Sequence, residues 1–285
     1  MTAGRRTGVA LAAMLLVLTA RAQPAPEDNV AGPYVPTPWP VVDDMLRLVD
    51  VRADDVLYDL GSGDGRLVIE AAKRYRARGV GVEMQADLVK AAVAGAKRAG
   101  VAERVRFVQG DLFDTDLHEA TVVTLYLLPK FAARLVPKLR AELRPGARIV
   151  SHDYPLDPWP ADKVLTFDLD EKEAISGTTR TNLYFYVVPA RVAGTWELAL
   201  PRALSGRALT VQINQAPDSL AGSARLGRDN VPLTELKVRA ERIRFDLFIA
   251  GREVDLRGTV SGQTMSGEAR WDDKRDGWSA RALKK

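Results

Sequence analysis

The chain has 285 residues, 46% of them hydrophobic and 27% charged, the balance of a globular protein with one large domain or two smaller ones. It has no cysteine, which excludes a disulfide framework, a thiolate metal site and a cysteine nucleophile, and with only His118 and His152 a histidine-rich metal centre is not expected. The formal charge is +4, but Arg5, Arg6 and Arg21 fall in the first 22 residues, which hold no acid. The 38 basic and 37 acidic residues that follow give no bulk case for a nucleic-acid partner.

The first residues read as an export signal. Arg5 and Arg6 form a basic start, Val9–Thr19 an apolar run, and Ala20-Arg21-Ala22 a cleavage site before Gln23. A periplasmic or extracellular location is therefore expected for the protein. The run is shorter than the roughly 20 residues that cross a bilayer, and the alternative is an uncleaved N-terminus that anchors the protein or leaves it in the cytoplasm. Residues 23–40 follow as a lead-in whose six prolines rule out a helix.

Val42, Met45, Leu46 and Val49 stand at i, i+3, i+4, i+7 and predict a short amphipathic helix. Strand and helix signals then alternate. Strands are expected at Val56–Leu60, Gly79–Glu83, Val105–Gln109, Thr121–Leu127 and Ala147–Ser151. Helices are expected at Leu67–Tyr75, Ala86–Ala99 and Lys130–Leu143. Such spacing implies right-handed crossovers and a mostly parallel, buried sheet. Two more strands, Val164–Leu169 and Asn182–Val188, have no helical pattern between them and predict an antiparallel edge hairpin. The α/β domain is placed at residues 41–190.

From Gly194 the pattern changes to short alternating runs broken by glycine, eight of them, the first at Thr195–Leu200 and the last at Trp278–Leu283. Residues 191–285 therefore read as a small antiparallel β domain, a barrel or a sandwich. Trp196, Trp271 and Trp278 are expected in its core.

The chemistry centres on Asp59-Leu60-Gly61-Ser62-Gly63-Asp64-Gly65 after the first strand. A dinucleotide fingerprint fails because its third glycine position holds Arg66, and no phosphate-loop lysine follows. What remains is an acid at a strand end, then glycines that let a ligand approach the backbone at a helix start. Glu83 ends the second strand, and Asp111 follows the third. With this pattern, the sequence from about Tyr34 to Pro189 resembles the class I, seven-strand, S-adenosylmethionine-dependent methyltransferases.

That resemblance implies a Rossmann-like sheet and S-adenosyl-L-methionine as cofactor. Asp59, Gly61 and Gly63 would hold its methionine part, Glu83 the ribose hydroxyls and Asp111 the adenine. Leu125-Tyr126-Leu127-Leu128-Pro129 lacks the Pro-Pro-aromatic string of the enzymes that methylate DNA bases or glutamine. With Tyr34–Pro38 it instead resembles the protein-lysine methyltransferases of the ATP synthase c-subunit and adenine nucleotide translocase. This implies a protein substrate, membrane proteins among them, and direct displacement at the sulfonium methyl. Thr37 would lie near the cofactor carboxylate, while Tyr126 and His152 are the candidate catalytic residues, with Asp153 beside them. An export signal would separate such a domain from its cytoplasmic cofactor, so an exported, non-catalytic binding protein is the alternative reading.

Overall fold

Every residue of β1 (Val56–Leu60) is buried, because its two faces feed two different cores. Val56, Tyr58 and Leu60 point into one, Leu57 into the other. Such continuous apolar runs belong to parallel strands covered on both faces. The computed structural model describes residues 34–283.

Before β1 lies α1 (Trp39–Leu48), and after it α2 (Arg66–Tyr75), β2 (Arg78–Glu83), α3 (Ala86–Arg98), β3 (Val105–Gln109), β4 (Val122–Leu125), α4 (Pro129–Glu142) and β5 (Arg148–His152). The sheet closes with β6 (Lys163–Asp168), α5 (Asp170–Ser176) and β7 (Arg180–Val187). Its order is β3-β2-β1-β4-β5-β7-β6, with β7 antiparallel to both neighbours. One core is roofed by Phe131, Leu135 and Leu139 of α4, the other by Met45 and Leu46 of α1 and Val68 of α2. The edge strands β3 and β6 are half exposed, as strands with one neighbour are. The edge hairpin differs from expectation in one respect: α5 interrupts it. Its Asp-Glu-Lys-Glu start has no apolar period, but three acids in the first turn favour a helix N-terminus.

The second sheet has nine strands in the order β11-β10-β9-β8-β16-β15-β14-β13-β12. These are β8 (Gly194–Ala199), β9 (Leu209–Gln215), β10 (Leu220–Leu226), β11 (Asp229–Pro232), β12 (Thr234–Arg239), β13 (Arg242–Ile249), β14 (Arg252–Ser261), β15 (Thr264–Trp271) and β16 (Lys274–Ala282). The additional strand is β11, polar and four residues long, too short to register as alternation. The sheet is antiparallel and curls into a nearly closed barrel, with Leu233 N donating to Gly222 O near the seam. Trp196, Trp271 and Trp278 are buried in its interior.

Both sheets belong to one compact unit. The link between them is held from the barrel side: Gln215 accepts from Val192 N (2.9 Å) and donates to Ala190 O (3.0 Å), and the Trp196 indole donates to Val192 O (2.8 Å). Ala190 N also donates to Ala240 O. Residues 1–33, which include the expected export signal and most of the proline-rich lead-in, lie outside the described residues. Among the described residues no helix is long and apolar enough to cross a membrane.

Candidate active site

The strand order reverses between β1 and β4, so a crevice opens at the carboxyl ends of the strands there, where open α/β sheets bind their ligands. The turn from β1 into α2 lines it. Gly61, Gly63 and Gly65 all take positive φ (85°, 52° and 79°). At Gly63 an added Cβ would lie 2.4 Å from the ring of Tyr34, so only glycine fits beneath that aromatic. Tyr34–Pro38 thus folds onto the glycine turn. Arg66 secures it by donating to Thr37 O (2.6 Å), pairing with Asp64 and lying over the Trp39 ring. Thr37 itself is buried.

Two buried carboxylates face the turn. Asp59 accepts from the Thr124 hydroxyl at 2.6 Å, its register partner on β4. Burial, opposed by Thr124 and reinforced by Asp64 and Glu83, pushes its pKa up to about 7. Glu83 accepts from Gly63 N (3.0 Å) through one oxygen and from Gln85 N (2.9 Å) through the other. Each oxygen keeps a lone pair for a further donor. Ser62 Oγ is buried without a hydrogen-bond partner among the described residues. Asp111, partly exposed beyond β3, accepts from Phe113 N (2.8 Å). An acid with no cation paired to it among the described residues, a glycine cradle and a carboxylate with spare acceptors suit a ligand carrying an ammonium, a close-packed chain and hydroxyls.

On the other side of the crevice the register Leu125↔Ser151 sets Tyr126 beside His152, with ring centroids 4.0 Å apart. His152 has no exposed surface, and neither ring nitrogen has a hydrogen-bond partner among the described residues. Burial lowers its pKa to about 4, so it is a neutral imidazole beneath the tyrosine rather than a free proton acceptor. Burial and the neighbouring Asp153 carboxylate raise the Tyr126 phenol.

Residues 59–163 match the model of the ANTKMT methyltransferase domain. A protein-lysine N-methyltransferase of Saccharolobus islandicus is 41% identical over 157 residues, which is 55% of this chain and 93% of that protein. The chain belongs to this S-adenosylmethionine-dependent methyltransferase family. The ATP synthase c-subunit lysine N-methyltransferase of Xenopus laevis is 32% identical over 57% of this chain and 71% of its own. A solved structure described as an RNA methyltransferase from Salinibacter ruber, in complex with S-adenosyl-L-homocysteine, is 52% identical. It covers 55% of this chain and 96% of its own, with a TM-score of 0.50.

Three residues of this methyltransferase's crevice were not singled out from sequence. Thr124 carries no motif signal, since it acts through one hydroxyl placed by strand register, and Ser62 stands inside the glycine turn with nothing local to mark its hydroxyl as buried. Lys172 of α5 is buried and bonded to Asp153 (2.7 Å), although its Asp-Glu-Lys-Glu setting reads as a solvated charge run.

Proposed function

We propose that this methyltransferase transfers the methyl group of S-adenosylmethionine to a lysine side-chain amine of a protein, by direct displacement. The observation that carries the reading is the 41% identity to a protein-lysine N-methyltransferase over 93% of that protein's length. In this reading the Asp59 carboxylate meets the ammonium of the cofactor's methionine part over Gly61 and Gly63. Glu83 takes the ribose hydroxyls, Asp111 reaches the adenine amino group, and Thr37 closes over the carboxylate. The bound cofactor supplies an electrophilic methyl on a sulfonium. The protein's own work is then alignment, because an uncharged amine held in line needs no further activation.

Tyr126 lines the acceptor slot, and His152 supports its ring from behind. Desolvation on entering the slot also favours the neutral form of an incoming lysine. A test is label transfer from tritiated S-adenosylmethionine into lysates from which RNA or protein is then digested. Label that survives ribonuclease and appears as methyl-lysine after hydrolysis supports the reading. Label confined to RNA, as the name of the Salinibacter ruber relative suggests, overturns it.

We also propose that the chain is exported, on its basic start, apolar run and Ala-Arg-Ala site. A reporter fusion that is active on only one side of the membrane decides the compartment. Export together with failure to bind S-adenosylmethionine supports instead a binding protein that kept the fold.

A further inference from the structure

Three polar side chains converge behind Tyr126, and each is costly to place there. Lys172 is 4% exposed on α5, whose neighbouring acids Asp170, Glu171 and Glu173 face solvent. Its ammonium donates to Asp153 Oδ1 (2.7 Å) and to Arg180 O. Removing both members of such a charge pair from water costs several kcal/mol unless the geometry is well satisfied. Asp153 sits at φ 62°, a left-handed conformation for a residue with a side chain. Its Oδ1 also accepts from Asn182 N (3.2 Å), and its own N–H donates to Asn182 O (2.7 Å). One carboxylate oxygen is therefore engaged from two sides. The other lies 3.5 Å from Nε2 of His152, whose ring centroid lies 4.0 Å from that of Tyr126, and the Asp153 charge helps raise the Tyr126 phenol.

This arrangement has a direction. A phenol can donate one hydrogen bond and accept two. A carboxylate only accepts, so a hydrogen bond between Tyr126 and an Asp153 held ionised by Lys172 runs from the phenol to the carboxylate. The phenol's lone pairs are then left for a donor arriving from the crevice.

We propose that Lys172, acting through Asp153, is a positioning residue that fixes the hydrogen-bond polarity of Tyr126, so that the acceptor slot takes a group presenting N–H. The chemical class so selected is an amine, whose N–H is held by the phenol oxygen while its lone pair faces the methyl donor. The proposal rests on the lysine reading given above and adds the residues that enforce it.

The test uses the full chain with its tyrosines labelled at Cζ with carbon-13, the Tyr126→Phe variant assigning the signal. The Cζ shift reports hydrogen-bond donation by the phenol without any turnover. In both Lys172→Met and Asp153→Asn the Tyr126 signal should move, and Lys172→Arg should restore it. In parallel, transfer of tritiated methyl to poly-L-lysine should lose about tenfold or more in kcat in both variants, with KM for S-adenosylmethionine unchanged. In a Tyr126→Phe background, Lys172→Met should add no further loss, because the two act as one unit. An unmoved Cζ signal overturns the proposal, as does full additivity of the kinetic losses. A moved signal in a parent enzyme that gives lysine no label supports the Lys172–Asp153–Tyr126 link and overturns the amine reading. Asp153→Asn carries the test if Lys172→Met does not fold.

Discussion

The Thr124 hydroxyl donates to Oδ1 of Asp59 at 2.6 Å, joining two residues that face each other in register across β1 and β4. It is the hydrogen bond that holds a fully buried carboxyl near a pKa of about 7 against burial and the repulsion of Asp64 and Glu83. Thr124→Val removes the donor and keeps the shape, so the Asp59 pKa should rise. A cationic ligand group binds the ionised form. The pH midpoint for S-adenosylmethionine binding should therefore lie near 7 in the parent and move up by about one unit in the variant. Calorimetric titration between pH 6 and 9 reads both midpoints, and coincident curves refute the assignment.

Asp59 should also weaken the ligand-free protein. Its folded pKa, about 7, lies above the ordinary aspartate value of 3.8. The associated stability is fully present below about pH 4 and is lost as the pH rises through 7. Asp59→Asn keeps the acceptor oxygen for Thr124 and removes the charge. At pH 8 the ligand-free variant should be more stable than the parent by about 1 kcal/mol or more, raising Tm by about 2–4 °C. At pH 4 the two should melt alike, and cofactor binding should be lost throughout.

His152 gives the opposite slope. Its pKa falls from 6.5 to about 4 on folding. Stability is therefore intact above pH 6.5 and declines as the pH falls toward 4, by at most about 1.4 kcal/mol per unit. His152→Phe keeps a ring against Tyr126 and cannot be protonated. Asp59 contributes an opposite slope to both proteins, so the difference between them is what reports His152. In urea unfolding across pH 4–7 the parent should lose stability relative to the variant as the pH falls.

Gly63→Ala should separate fold from cofactor loop. An added methyl meets the Tyr34 ring at 2.4 Å, and the backbone sits at φ 52°. The ring is 40% exposed and can swing outward, so the stability loss should stay near 1–2 kcal/mol. S-Adenosylmethionine affinity should fall at least tenfold, because Tyr34–Pro38 no longer settles on the turn. An unchanged affinity would remove that segment from the binding site.

Much of the α/β layer was legible because its signals are local. Val56–Leu60 and Val122–Leu125 are too apolar to lie anywhere but inside, and the helices between them have one greasy face each. The second domain was legible as alternation, with barrel and sandwich both open, and Trp196, Trp271 and Trp278 lie in its core as expected of large aromatics. What escaped was short or charged. β11 is four residues long, and α5 carries no apolar period because Lys172 is buried through its charge pair rather than through its stem.

Sequence by itself determined the alternation of strands and helices, the glycine turn after β1 and the acids at the ends of β1 and β2, since chain direction alone brings parallel strand ends to one edge. The tertiary structure decided what those groups are. Register set Thr124 on Asp59 and Tyr126 over His152, pairings between residues 65 and 26 positions apart that no local pattern encodes. Burial then turned an ordinary aspartate into a group poised near neutrality and a histidine into a neutral support. The physical reason is that desolvation depends on everything packed around a residue, whereas a motif records only its neighbours along the chain.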